Sequence, residues 1–180
     1  MIAAGLTFFY FVQAGFYPIA VVNSRIIGAR SYEEVLASAY HYYDQLLKAE
    51  VPARELVQMP EALVEIRRAT LDKLVEDVLV YKELKSRLGK ETESIVRNKV
   101  SSLNLNSPDF RQGVATLYDL TLEEFKETVL VPQARREILE GRLFTEKANL
   151  GEWLTRARQE AKVVIFAPNL EWKDGKVTIQ

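Results

Sequence analysis

Few side chains in this sequence could carry catalytic chemistry. The 180-residue chain has no cysteine, and its single histidine, His41, leaves no histidine pair for a metal ion or a proton shuttle. The acidic pairs Glu33–Glu34 and Glu123–Glu124 fall in the first turns of predicted helices, where carboxylates complement the helix dipole. The sequence contains no phosphate-binding loop, dinucleotide fingerprint or nucleophile elbow. We therefore expect no enzymatic activity, no metal site and no cofactor.

Apolar contact is the remaining chemistry that the sequence offers. Phe110, Tyr118 and Phe125 lie on helices that are expected to pack against a long central helix. Either they belong to the core, or they line a groove that binds extended polypeptide, since aromatic rings give a large contact area for little rotamer entropy. The sequence leaves both interpretations open. His41 falls off the apolar stripe of its helix and is expected to be an exposed residue with no ligand role.

Composition limits the classes of partner. The chain has 24 basic and 25 acidic residues, a formal net charge of −1, and 48% hydrophobic residues. A nucleic-acid-binding domain normally carries a clear basic excess, so we expect no nucleic-acid partner. The apolar content is too high for a largely disordered chain and suffices for one domain with its own core.

The N-terminal residues form an apolar leader, which we place at residues 1–17. No charged residue occurs from Ile2 to Asn23, a length that just suffices to span a bilayer. The run is consistent with a membrane anchor, with a secretory signal that lacks its basic start, or with a short segment that leads into a buried strand from Pro18 to Val22. Arg25 and Arg30 follow the run, and this position argues against export.

Helix-capping and helix-breaking residues in the remaining chain predict a mainly α-helical fold. Capping patterns begin helices at Ser31, Ser107 and Thr121, Gly89 ends the long central helix, and Pro132 kinks or splits a later one. The predicted helices number about six and cover residues 32–49, 61–88, 91–103, from 108 onward, 122–148 and 151–161. We assign residues 18–168 to this helical domain.

Short strands are predicted near each end of the helical domain. The apolar run from Val163 to Phe166 is expected to pair with Ile19 to Val22, because neither segment alone can satisfy its backbone groups. An Asp174-Gly175 step between strand-forming residues predicts a C-terminal β-hairpin within residues 169–180.

Several motifs together resemble the N-terminal chaperone domain of the SurA/PrsA-type peptidyl-prolyl isomerase family. They are Ala20-Val-Val-Asn-Ser-Arg-Ile26, the long helix with Leu71, Leu74, Val75 and Leu79 ending at Gly89, Leu120-Thr-Leu-Glu-Glu-Phe125, and Trp153-Leu-Thr-Arg-Ala-Arg-Gln-Glu-Ala-Lys-Val-Val-Ile165. The resemblance covers roughly residues 18–166. Ser24 and Asp119 stand where the family has glycine, and only residues 131–151 separate two segments between which the family carries its parvulin catalytic domain.

The resemblance implies a chaperone domain of the holdase type without isomerase activity. Its partners would be unfolded or extended polypeptide clients, and it would be extracytoplasmic, either secreted or tethered to a membrane through the N-terminus. Phe110, Tyr118 and Phe125 would be the peptide-binding residues. The alternative is a structural or assembly domain of the same fold that holds one fixed protein partner or dimerises.

Overall fold

The architecture is given by a computed structural model that describes residues 17–48 and 59–180. The described chain is mainly helical, with a few short antiparallel strands, as the sequence predicts. The apolar leader assigned to residues 1–17 lies outside the described residues except for Tyr17. The elements are β1 Pro18–Val22, β2 Arg25–Gly28, α1 Ala29–Leu47, α2 Pro60–Leu88, α3 Thr92–Ser101, α4 Pro108–Tyr118, α5 Leu122–Phe125, α6 Val131–Thr145, α7 Leu150–Glu160, β3 Val163–Ile165, β4 Leu170–Lys173 and β5 Lys176–Ile179.

Helix α2 is buried on more than one side, as the sequence predicts, because its apolar residues between Leu63 and Leu88 form a broad arc that covers more than one face of the helix. Leu71, Val75 and Leu79 join a core cluster with strand β1 and the C-terminal hairpin. Val80 and Leu84 join a second cluster with apolar side chains of α6 and α7. Because each cluster approaches a different part of its surface, α2 is the element on which the sheet and the later helices pack. No helix of the described residues is long and apolar enough to cross a bilayer.

The predicted pairing of the two ends of the domain is confirmed. Strand β1 lies at the centre of a three-stranded sheet of order β2-β1-β3 and pairs antiparallel with β3, with Val21 opposite Val164. The Asn23 side chain strengthens this junction, because its carbonyl oxygen accepts a hydrogen bond from the Lys162 N–H at 3.0 Å. Residues distant in sequence thus close one sheet.

Strand β2 changes the predicted start of the first helix. A two-residue turn at Asn23 and Ser24, both with positive φ, folds β2 back onto β1. Helix α1 then begins at Ala29, with Gly28 as its N-cap, and not at the predicted residue 32. The predicted capping box at Ser31 is therefore wrong, because Ser31 already lies inside the helix.

Other predicted helix ends are confirmed. The Ser107 hydroxyl accepts a hydrogen bond from the Phe110 N–H at the start of α4, and Thr121 and Glu124 form a reciprocal capping box at the start of α5. Asp119 ends α4 in the left-handed conformation. Positive φ at both Ser24 and Asp119 explains why a glycine would suit either position.

Pro132 splits the predicted helix 122–148 by inserting a π-helical turn. Residues Lys126–Leu130 form this turn, and the Val131 N–H donates to the carbonyl of Lys126, five residues earlier. Proline has no N–H and its ring clashes with the carbonyl four residues before it. The wider turn removes that clash and lets α6 continue the path of α5.

A charged cluster holds α7 and the C-terminal hairpin on α2. The Arg158 guanidinium donates to both carboxylate oxygens of Asp72 at 3.0 and 3.1 Å and to Glu76 at 2.9 Å. Asp72 also accepts the Val177 N–H at 3.0 Å. Leu170 and Val177 of the hairpin belong to the same core cluster as β1.

Candidate functional site

The three aromatic residues predicted as a binding site lie together. Ring centroids are 6.0 Å apart for Phe110 and Phe125 and 4.9 Å apart for Tyr118 and Phe125. Tyr42 of α1 continues the row by stacking on Tyr118, with centroids 5.0 Å apart and an interplanar angle of 16°. We call Tyr42, Tyr118, Phe125 and Phe110 the aromatic ladder.

Burial divides the ladder into a core residue and three residues at the surface. Phe125 is only 7% exposed, so its side chain belongs to the protein interior. Phe110, Tyr118 and Tyr42 are half-buried and keep part of their ring surface in contact with solvent. Burial raises the pKa of the Tyr118 hydroxyl, with the neighbouring Tyr42 as a second cause. The ladder therefore offers a neutral, partly apolar surface near neutral pH.

Exposed apolar side chains lie beside the ladder on α1 and α4. Tyr43 is 44% exposed and its ring lies 5.8 Å from that of Tyr42 in an edge-to-face arrangement. Leu46 follows Tyr42 by one helical turn on α1, and Leu117 of α4 is the neighbour of Tyr118 in sequence; both are exposed. The ladder and these three residues together form what we call the ladder surface.

Capping and one histidine contact place the ladder helices. The caps at Ser107 and Thr121 fix where α4 and α5 begin. His41 of α1 is half-buried, and its Nε2 donates to the Thr116 carbonyl of α4 at 3.0 Å. The expectation that His41 is an exposed residue is corrected here, because it joins the two helices that carry Tyr42 and Tyr118.

The larger clefts lie elsewhere and have mostly polar and charged walls. One of about 500 Å³ lies between α2 and α7, with Lys82, Glu83 and Arg156 among its lining residues. Another of about 480 Å³ lies between α3 and the π turn, with Arg97 and Lys126 in its wall. Phe110, Tyr118 and Phe125 line neither cleft, so these three residues form a surface patch beside the clefts.

A second constellation was not found from the sequence. The guanidinium carbons of Arg25 and Arg135 lie 4.2 and 4.4 Å from the ring centroid of Tyr81, within cation–π distance. The Tyr81 hydroxyl donates to Glu93 at 2.7 Å and lowers the pKa of that carboxyl. The two arginines come from β2 and α6, so no local spacing in the sequence relates them. Within the described residues no cluster of three or more acidic or histidine side chains could hold a metal ion.

Comparisons with known proteins place no relative beside this chain. No protein-family model, no curated protein and no solved structure matches it.

Proposed function

We propose that this chain is a holdase-type domain that binds unfolded or extended polypeptide on the ladder surface. The observation that carries the proposal is the aromatic ladder, a continuous series of ring contacts in which three of the four rings keep solvent-exposed area. Aromatic rings have few rotamers and a large contact area, which makes them efficient contact residues. The motifs that resemble the SurA-type chaperone domain point to the same class of partner.

An extended client suits the ladder surface because of its shape and charge. The three partly exposed rings, Tyr42, Tyr118 and Phe110, offer several apolar contacts, which suits the side chains of a chain in extended conformation. The ladder residues and Tyr43, Leu46 and Leu117 are all uncharged, so contact requires no desolvation of an ionised group from these side chains. An extracytoplasmic location, secreted or membrane-tethered through the N-terminus, belongs to the same proposal.

The test compares Tyr118→Ala with Phe144→Ala in a client-aggregation assay. Phe144 is 80% exposed near the end of α6, about 20 Å along that helix from the π turn, and serves as a matched aromatic control. Light scattering of a thermally unfolding model enzyme should be suppressed by the parent chain and by Phe144→Ala. We expect Tyr118→Ala to keep the fold, checked by circular dichroism, and to need about tenfold more protein for equal suppression.

Two outcomes would overturn the proposal. One is a parent chain that suppresses no aggregation at any stoichiometry. The other is equal loss in Tyr118→Ala and Phe144→Ala, because binding would then depend on general hydrophobicity and not on the ladder.

A fixed protein partner or a second copy of the chain is the second candidate, and the outer face of the sheet favours it. Ile26, Val21 and Val164 lie side by side in the register, and Ile26 and Val164 are 68% and 55% exposed. A flat apolar row on a sheet fits one complementary surface better than many clients. Val164→Thr should then abolish a stoichiometric complex in sedimentation velocity and leave aggregation suppression unchanged.

A further inference from the structure

A cleft of about 290 Å³ lies where β2, the start of α1, α2 and α6 meet. Arg25 and Arg135 both line it, and the guanidinium groups of both contact the ring of Tyr81. The two guanidinium carbons are therefore no further apart than the sum of their distances to the ring. Two positive groups at this separation can contact one small anion.

The two arginines have few acidic partners. Within residues 17–48 and 59–180, Arg25 forms no ion pair, and its described contact is the ring of Tyr81. Arg135 approaches Glu93 only at 3.7 Å, and its buried Nε has no hydrogen-bond partner in the described structure. A guanidinium with unused donors in a partly buried place favours binding of an added oxyanion.

The other charged group in the cleft is already compensated. Asp77 lines the cleft, and its carboxylate accepts from the Lys73 ammonium at 2.7 Å. The cleft thus has an excess of positive charge in a chain whose overall charges balance.

The start of α1 adds hydrogen-bond donors at the same place. Gly28 and Ser31 line the cleft, and Gly28 is an N-cap without a side chain that could accept a hydrogen bond. Helix α1 has no acidic residue in its first turn, so the positive end of the helix dipole is not compensated there. These donors supplement the arginine pair.

The remaining wall of the cleft is apolar. Ile27, Leu74 and Val78 line it, and these side chains require an apolar body on the ligand. A bare inorganic ion would leave this wall in contact with water. The matching ligand is a carboxylate attached to an apolar group, small enough for a volume of about 290 Å³.

We propose that this cleft binds the C-terminal carboxylate of a polypeptide, with the apolar last side chain on Ile27, Leu74 and Val78. The inference rests on the proposed polypeptide-binding function and names a second contact for such a ligand, separate from the ladder surface. Arg25 and Arg135 hold the carboxylate oxygens, and Gly28 and Ser31 contribute backbone N–H groups.

The experiment titrates the ¹⁵N-labelled full chain with an acetylated Ala-Ala-Ala-Phe peptide, its C-terminal amide, acetate and inorganic phosphate. We expect saturable shifts of the Gly28 and Ser31 amides and of the Arg135 Nε–H with the free-acid peptide. The amide, acetate and phosphate should each bind at least about tenfold more weakly, because each lacks either the carboxylate or the apolar body.

Two substitutions and a control locate the site. Arg25→Gln and Arg135→Gln should each weaken binding of the free-acid peptide by about tenfold. Arg30→Gln removes the same charge from an exposed residue paired with Glu34 and should leave binding unchanged. Because Arg135→Gln could also disturb packing, the melting temperature of each variant is measured alongside.

Gly28→Asp separates binding from stability. A Cβ at Gly28 meets no atom within 4 Å, and its φ of −79° suits an N-cap side chain. Aspartate there should cap α1 and raise the melting temperature by about 2–4 °C, yet its carboxylate should compete with the peptide and reduce binding at least tenfold.

Four results would refute the proposed carboxylate site. Equal binding of acid and amide, equal binding of acetate or phosphate, an effect of Arg30→Gln as large as that of Arg25→Gln, or no saturable shift would each refute the carboxylate site. If the site fails while Tyr118→Ala still weakens client protection, the proposed function stands. If client protection fails while the acid-specific shifts appear, only the ladder function is lost.

Discussion

Arg158 shows how one side chain can join three parts of this molecule. Its guanidinium connects α7, on which it lies, to Asp72 and Glu76 of α2 and to the carbonyl of Gly175 in the hairpin turn, at 3.3 Å. Only 16% of the side chain is exposed, so its partners are largely shielded from water. Without the arginine, Asp72 would lose its ion pair with Arg158 in this shielded place, whereas Glu76 would keep its ion pair with Arg136.

We expect Arg158→Met to lower the free energy of unfolding by about 2–4 kcal/mol, measured by urea denaturation. Methionine preserves much of the side-chain volume, so the loss reports the charge and its hydrogen bonds. The matched control is Arg30→Met, whose partner Glu34 is exposed, and which should change stability by less than about 0.5 kcal/mol. Equal effects of the two substitutions would contradict this account of the cluster.

Residue contacts were predictable only in part. The sequence identifies Phe110, Tyr118 and Phe125 as members of neighbouring helices, and the structure brings them together. It leaves Tyr42 and the partners of His41 unidentified, because contacts between α1 and α4 join residues about 75 positions apart. Periodicity indicates which face of a helix is apolar, whereas the residue opposite it is decided by tertiary packing.

At the scale of elements, the turn between β1 and β2 carries a conformational cost. Asn23 and Ser24 have φ values of 47° and 72°, a left-handed turn that serine adopts poorly. Ser24→Gly should therefore raise the free energy of unfolding by about 0.5–1 kcal/mol, as measured by urea denaturation. Ser31→Gly, inside α1, is the matched control and should destabilise by a similar amount. Stabilisation by both, or by neither, would argue against strain at Ser24.

Helix ends with a local chemical signal were predictable, and those without one were not. Ser107, Thr121 and Gly89 act as predicted, because each satisfies backbone groups of its own helix end. Strand β2 was missed since its turn lacks the usual glycine. For the same reason the predicted start of α1 was placed too late in the sequence. At Pro132 the sequence predicts a disruption, but the choice of a π turn depends on how α5 and α6 pack.

For the whole molecule, several carboxylates make stability depend on acid. The pKa of Glu65 is lowered chiefly by Arg68, that of Glu93 by the Tyr81 hydroxyl, that of Glu124 by the Thr121 N–H, and that of Glu137 by Lys99. Groups whose folded pKa lies below the ordinary value near 4.5 contribute fully above that pH. Their contribution is lost as the pH falls through the lowered values.

We therefore expect the melting temperature to be nearly constant from pH 7 to about 5 and to fall progressively below pH 4.5. Differential scanning calorimetry between pH 3 and 7 measures this directly. Glu93→Gln should melt at a lower temperature than the parent at pH 7 and show a shallower decline in acid. A decline parallel to that of the parent would remove Glu93 from the explanation.

The pairing of the two ends of the domain was predictable from the sequence, because a short strand needs a partner for its backbone hydrogen bonds. Pro18–Val22 and Val163–Ile165 are apolar and short, and neither can satisfy its backbone alone. The broad apolar arc of α2 was enough to predict that other elements pack around this helix on more than one side. Which helix covers which side could not be read from the sequence, since the apolar residues of α6 and α7 suit either cluster.

Placement of β1 between β2 and β3 has a consequence for synthesis on the ribosome. Strand β1 is among the first described elements to be translated, yet one of its two edges is paired by β3, which follows every described helix. Until residues 163–179 leave the exit tunnel, the nascent chain keeps an unpaired strand edge and an uncovered side of α2. The described fold is thus completed only after β3 and the hairpin have been synthesised, and until then the unpaired edge of β1 is open to aggregation.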